Sequence, residues 1–480
     1  MDNSSDHSDE DTPGNVLPGT SSDKVPLKTK VGWGMGGLAD FFMFNSLIFL
    51  MMPIYNIGLG LDAFLVGLAS GIPRILDAFT DTFVGNLSDN TRTRWGRRRP
   101  FIALGVLGGV IMFPLIWMPP FQTSTGIFLY LLVMATIYFS FIHTIFVIPY
   151  TALGFEQTSD YAEKSRVLAW RMYIGLIGAL TVPWVYKICL LDVFPNEVVG
   201  VRYVSLGIGL IILVSGLSPV FFCKEKLDHK VQARVKIRKA LAETIRNKSF
   251  MRLMSAYVIV VLGIFSGVGL TLYVNIYYLC DGDKSYAAQL VATAGSIKAL
   301  SSYISIPLAT WLSGKIGQHR TMQLGFLMVS VGGASYGFTL RPDFPELQYI
   351  SAAIIGSSLQ GCWLMVNSII ADICDEDEYI TGFRREGFYA AVFSLSKKVS
   401  FGLASVIIGT LLWLFGFDAQ LANQGMLDAQ VPVRLFYGFI LLPLLTPLAG
   451  AWILRAFPLT QERMQDIQVA LRERNEASGT

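Results

Sequence analysis

Apolar stretches begin near residues 33, 62, 100, 126, 165, 201, 251, 287, 321, 347, 386 and 432, and most run roughly 20–28 residues. About 20 apolar residues is the length at which a helix crosses the hydrocarbon of a bilayer. Backbone N–H and C=O groups that face lipid must be satisfied internally, which leaves helices or a closed barrel. No alternating ten-residue strand pattern supports a barrel. The expected fold is therefore an all-α membrane protein with 12 transmembrane helices. Composition agrees: 52% of the 480 residues are hydrophobic and 15% are charged. Soluble domains carry about 25% charge, and a soluble body this poor in charge could not cover its own surface.

The loops orient the chain. Arg92, Arg94, Arg97, Arg98 and Arg99 lie between the second and third stretches, and nine Lys or Arg fall between Lys224 and Lys248. The loops at 56–61, 120–125 and 189–199 have no Lys or Arg. The positive-inside rule then puts both termini in the cytoplasm of a multi-pass protein of the cell or inner membrane. Residues 1–30 carry six acids against three lysines and no apolar core; they read as a disordered cytoplasmic tail, not a signal peptide. Two six-helix bundles, 31–223 and 250–456, flank a cytoplasmic central loop, 224–249, and a tail follows at 457–480. The loop reads either as an amphipathic helix on the membrane surface or as a solvated basic linker.

Several function classes are excluded. Five scattered cysteines without CxxC spacing form neither a disulfide framework nor a zinc cluster, and a net charge of +3 does not suit nucleic acid. There is no GxSxG, P-loop or metal-ligand cluster, so an enzyme, a cofactor and an ATP-driven pump are not expected. A faint repeat points elsewhere. VGNLSDNTRTRWGRRRP and ATWLSGKIGQHRTM lie six stretches apart, with Asp89 in the first matched by Gly314 in the second. Repeated halves are a transporter signature, with the substrate near the midplane between them.

Ionisable residues inside the stretches sharpen that reading, because each costs about 2.5–3.5 kcal/mol near the bilayer centre. They are Asp40, Arg74, Asp77, Asp81, Arg171, Lys298 and Lys398. At 1.5 Å per residue, Asp40 lies about 11 Å in, Arg171 about 10 Å and Lys398 about 18 Å, with Asp81 and Asp77 roughly 9 and 15 Å from the same surface. One slab thus holds charge from four helices. Asp77 and Asp81, four residues apart, share a face and repel unless a cation sits between them or one is protonated. Na+ is a hard cation that takes oxygen ligands, and Thr80 and Thr144 supply hydroxyls; a structural Arg74–Asp77–Asp81 network is the alternative. Asp40 is either a substrate acceptor or a partner for Arg171. Lys398 either faces the cavity or pairs with an acid across it. Lys298 has no clear assignment, and His143 reads as a packed polar residue.

Two segments, RILDAFTDTFVGNLSDNTRTRWGRRRP and ADICDEDEYITGFRREGFYAAVFSLSKK, resemble signatures of the melibiose-permease-like glycoside–pentoside–hexuronide:cation symporters of the major facilitator superfamily. The resemblance spans all twelve helices and implies the major facilitator fold. It implies cation binding at Asp77, Asp81 and Thr144, with Thr80 where relatives carry an asparagine. It also implies a substrate set of Asp40, Arg74, Arg171, Lys398 and the pocket tryptophan Trp363. One position departs: galactoside carriers have a second sugar-binding acid where this chain has Val147, which suits a less polar substrate.

The expected activity is cation-coupled symport, with Na+ or H+, of a sugar or glycoside by alternating access, in a monomer embedded in the lipid bilayer. Asp89, Arg97 and Arg98 on one loop, and Asp375, Arg384 and Arg385 on another, are candidate gate residues; loops that serve topology and solvation alone are the alternative. A cation-coupled lysolipid or amphiphile carrier, or a non-transporting membrane sensor derived from a carrier, are the competing functions.

Overall fold

The computed structural model describes residues 24–158, 160–225, 244–383 and 385–477. The expectations for residues 1–23, for 226–243 of the central loop and for Arg384 lie outside the described residues.

Twelve long helices succeed one another among the described residues. They are α1 (Leu27–Gly58), α2 (Ala63–Asn90), α3 (Arg99–Ile116), α4 (Ser124–Phe155), α5 (Glu163–Cys189), α6 (Glu197–Phe222), α7 (Lys248–Leu279), α8 (Lys284–Ile316), α9 (Gln318–Thr339), α10 (Gln348–Thr381), α11 (Glu386–Leu414) and α12 (Gln430–Leu454). Ten of them are long and apolar enough to cross a membrane; α8 and α9 carry more polar residues and fall below that mark. A polar helix, α13 (Gln461–Ala477), follows.

The boundaries follow local chemistry. Asp62 Oδ1 accepts the Phe64 and Leu65 N–H groups at the start of α2, and Asp283 does the same for Ser285 and Tyr286 of α8, satisfying donors with no partner inside the helix. Gly382, at φ +75°, ends α10 in the left-handed region that side chains avoid. Wider π turns interrupt α1 at Phe42–Ser46 and Met52–Gly58, α4 at Tyr138–His143 and α7 at Asn275–Leu279. The first follows Asp40 and the third precedes Thr144, so both lie beside the buried charges, where π turns often occur.

Helix packing repeats with an offset of six. In the first six helices α1 packs on α5 and α6, α3 on α4 and α6, and α2 on α4. In the second six α7 packs on α11 and α12, α9 on α10 and α12, and α8 on α10. The two sets meet through a reciprocal pair of contacts, α2 with α11 and α8 with α5. The α2–α11 approach is close because both sides lack side chains: a Cβ on Gly71 would lie 2.5 Å from the Gly402 carbonyl oxygen. Small residues at such crossings are how membrane helices bring their backbones together.

One end of the molecule is tied shut. At the end opposite the arginine-rich loop 92–99, Tyr273 donates to Asn56 (2.8 Å), Lys284 pairs with Glu197 (2.8 Å), Lys187 donates to Ser285 (2.6 Å) and Asn423 to the Ile57 carbonyl (3.0 Å), each joining the two sets. At the arginine-rich end Arg97 and Arg98 pair with Glu156, and Arg385 with Asp377, each within one set.

Candidate functional site

Between the sets, at mid-depth, lies a charge network. Asp77 is 1% exposed and Arg74 3%. Lys398 of α11 reaches across to α2, with Nζ 2.9 Å from Asp77 Oδ2 and 2.6 Å from Asp81 Oδ2. Arg74 Nη1 lies 3.6 Å from Asp77 Oδ2. The other Asp77 oxygen, Oδ1, accepts from Thr144 Oγ1 of α4 at 2.6 Å. Three residues from three helices therefore converge on Asp77. The ammonium sits where repulsion between the carboxylates would be greatest, which is how two acids one turn apart stay charged. Asp81 Oδ1 is buried without a hydrogen-bond partner. Thr80 faces its own helix, donating to the Asp77 carbonyl at 3.1 Å.

A second pairing lies beside it. Asp40 of α1 accepts from Arg171 Nη2 at 2.9 Å and meets His143 Nε2 at 3.0 Å. The Arg74 guanidinium stacks 4.0 Å over Phe44 and 4.6 Å over Phe139, a geometry that offsets part of its lost hydration. Phe44 also packs edge-on against Phe401 at 6.0 Å.

Beyond Phe44 opens a cavity of about 360 Å³, within the usual range of small-molecule sites. Its wall is largely aromatic and aliphatic, with Phe41, Phe44, Phe49, Phe265 and Phe401 prominent, and Lys298 of α8 enters it. None of Asp40, Arg74, Val147, Arg171, Trp363 or Lys398 is in that wall. Register explains their place. On α1, α2, α5, α10 and α11 the charged or tryptophan residue comes nearer the arginine-rich end than the cavity residues of the same helix, by one residue for Asp40 before Phe41, about one turn for Lys398 before Phe401 and Trp363 after Gln360, and about two turns for Arg171 before Ala179. Asp40, Arg74, Arg171, Trp363 and Lys398 therefore lie on the arginine-rich side of the cavity. Trp363 rests edge-on against Tyr257 at 5.4 Å, and Val147 packs in the core of the first set.

Sequence reasoning missed three contributors. Phe44 and Phe401 are indistinguishable by composition from lipid-facing phenylalanines. Lys397, beside Lys398, is exposed, and Asp40, Arg74 and Arg171 of the first set lie near enough to act on its charge. The Lys-Lys doublet deep in a helix was its signal.

The gate candidates fall into separate clusters. Arg98 pairs with Asp89 (3.1 Å) and Glu156 (2.9 Å), and Arg97 also contacts Glu156. Burial raises the Glu156 carboxyl above its ordinary value, and the Arg98 and Arg97 guanidiniums beside it pull it back. Glu225 accepts the backbone N–H groups of Arg97, Arg98 and Arg99 at 2.8, 2.9 and 3.0 Å, capping the start of α3. In the second set Arg385 Nε donates to Asp377 at 2.7 Å. Asp375 makes a contact in the same region.

Comparison with known proteins agrees with this architecture. The model of the family described as "MFS/sugar transport protein" matches residues 32–461. A putative glycoside/cation symporter of Escherichia coli (strain K12) is 24% identical, covering 95% of this chain and 97% of its own. A glucuronide carrier protein homolog of the same organism is also 24% identical, covering 94% and 96%. Among solved structures, a bacterial homolog of the human lysosomal transporter Spinster superposes with a TM-score of 0.62 at 13% identity, over 95% of this chain and 99% of that one. At that identity the likeness shows the fold alone.

Proposed function

This chain belongs to the MFS/sugar transport protein family, the glycoside–pentoside–hexuronide-like branch of the major facilitator superfamily, and from that premise we propose that it performs cation-coupled symport of a sugar or glycoside by alternating access. It is a multi-pass membrane transporter of a small molecule and not an enzyme. One observation carries the symport reading: Asp77 and Asp81 face each other at mid-membrane with a cationic group, Lys398 Nζ, 2.9 and 2.6 Å away.

In the unloaded state the ammonium stands in for the transported cation. Entry of Na+ or H+ at the pair takes over its role of neutralising the acids. The Asp77 and Asp81 carboxylates, with the Thr144 and Thr80 hydroxyls nearby, form an all-oxygen set of the kind hard cations take, which favours sodium. Lys398 is then released from α2. Because Lys398 belongs to the second set and Asp77 to the first, loading changes the attraction between the two sets at their contact. A cation and a substrate that both favour the same closed arrangement bind with reciprocal cooperativity. Asp40, Arg74, Arg171 and Trp363 flank the path by which the substrate reaches the cavity from the arginine-rich side, and Val147 packs behind them.

With the arginine-rich end cytoplasmic, as the basic loops suggest, the state described here is inward-open. Units 31–223 and 250–456 rock about the cavity, with 224–249 as the connecting loop. The cytoplasmic end closes when the Asp89, Arg97 and Arg98 cluster meets the Asp375, Arg384 and Arg385 region across the gap. One cation entering down 100 mV contributes about 2.3 kcal/mol, and a tenfold gradient about 1.4 kcal/mol; together these sustain accumulation of roughly a few hundredfold.

The test is uptake into proteoliposomes from a panel of glycosides and uronides, with inward sodium or proton gradients, for the unsubstituted protein and Asp77→Asn. Gradient-driven accumulation that the substitution abolishes is expected. Uptake that ignores both gradients and the substitution overturns the symport.

A further inference from the structure

The deep charges do not balance. Among the described residues, five cationic side chains (Arg74, Arg171, Lys298, Lys397 and Lys398) belong to the cavity wall or to the charge cluster beside it, against three carboxylates there, Asp40, Asp77 and Asp81. The acids are already engaged, Asp40 by Arg171 at 2.9 Å, and Asp77 and Asp81 by Lys398 at 2.9 and 2.6 Å. Lys397, four residues before the cavity residue Phe401, stands exposed. Lys298 is deeper, inside the cavity, and among the described residues no carboxylate pairs with it. A charge at this depth is costly without a partner, and a symported cation adds to the positive excess.

The rest of the wall narrows what the partner can be. The hydroxyls of Ser70, Ser302 and Ser405 donate to carbonyls of their own helices at 2.7, 2.7 and 3.2 Å, and Asn45 Nδ2 donates to the Phe41 carbonyl at 3.1 Å. The Tyr273 hydroxyl donates to Asn56 at 2.8 Å, which leaves Lys298 and Gln360 as the polar side chains of the wall with no hydrogen bond among the described residues, beside the second N–H of Asn45. A free sugar, with hydroxyls on all sides, would bury most of them against phenylalanine rings. An apolar body with a single anionic group suits the wall.

We propose that Lys298 is the substrate's anion receptor, and that the transported substrate is an amphipathic organic monoanion: one carboxylate, sulfate or sulfonate on a largely aromatic or alkyl body, glycosidic or not. This deepens, and rests on, the reading of the cavity as the transport site. Lys397 attracts the anion, and Lys298 holds it once inside. The phenylalanines take the apolar part.

A matched pair of ligands tests the assignment. Phenyl β-D-glucuronide and phenyl β-D-glucoside share one body and differ in a carboxylate against a hydroxymethyl group. Their dissociation constants are measured by calorimetry with the full chain in nanodiscs, for the unsubstituted protein, Lys298→Arg and Lys298→Gln. The glucuronide is expected to bind at least about tenfold more tightly, the scale of one charge-assisted hydrogen bond. Lys298→Arg should keep that preference and Lys298→Gln should erase it. Equal binding of the two ligands by the unsubstituted protein, which requires no variant to fold, overturns the proposal. So does binding of neither, or a preference that survives in Lys298→Gln. Uptake under cation gradients is scored separately. Gradient-driven uptake without anion preference keeps the symport and removes the Lys298 assignment; Lys298-dependent binding with gradient-blind uptake does the reverse.

Discussion

Helices α2 and α8 hold equivalent places in the two sets, α2 against α11 and α8 against α5, yet their charges are in opposite situations. On α2, Asp77 is almost fully enclosed and bound by Arg74, Thr144 and Lys398. On α8, Lys298 projects into an apolar cavity and among the described residues meets no carboxylate. The first arrangement holds itself together with a replaceable internal cation. The second is incomplete until something negative arrives. Duplicated geometry has thus been given two chemistries, one suited to a cation on α2 and one to an anion on α8. A device that couples two cargoes needs that asymmetry, because a symmetric site would bind the same ligand twice.

The contrast predicts opposite signs for removing charge. Asp77→Ala leaves Arg74 and Lys398 facing a single carboxylate, and breaking a buried pair typically costs about 3–5 kcal/mol; a sharply lower melting temperature in nanodiscs is expected. An unchanged melting temperature would mean the α2 network is not closed. Lys298→Met removes a charge that costs about 2.5–3.5 kcal/mol at the bilayer centre and should raise the melting temperature of the ligand-free protein. A fall instead would reveal a partner for Lys298 and erase the contrast. Gly402→Ala probes the contact that brings Lys398 to α2. Overpacking of this kind costs about 1–3 kcal/mol, so cation-stimulated uptake should drop while the melting temperature falls less than in Asp77→Ala. Thr144→Val takes one hydrogen bond from Asp77 and should weaken half-saturation by the coupling cation about tenfold, the low end for bonds to a charged group. No change there would place the cation away from Asp77 Oδ1.

Much of this was legible in the chain. The long apolar stretches required helices, and seven deep charges marked the middle of the molecule before any helix was positioned. The spacing of Asp77 and Asp81 required a positive partner, because two carboxylates one turn apart cannot both stay charged alone. Which partner was not legible. Arg74 on the same helix was the local candidate, but Lys398, 321 residues away, fills the position. Asp40 was open between substrate and Arg171, and in the state described here it is held by Arg171. The cavity wall was illegible for a different reason. Phe44 and Phe401 look like any apolar residue until packing decides which face meets lipid, core or empty space.

Sequence alone determined the solvent this protein lives in, the number of apolar stretches and the residues whose charge had to be answered, because burial cost depends on residue type and length. Tertiary structure decided which charges answer one another and which one is left over. Pairing depends on distances of a few ångströms between helices remote in the chain, and those are set by the meeting of bare glycine backbones on α2 and α11, not by any local run of residues.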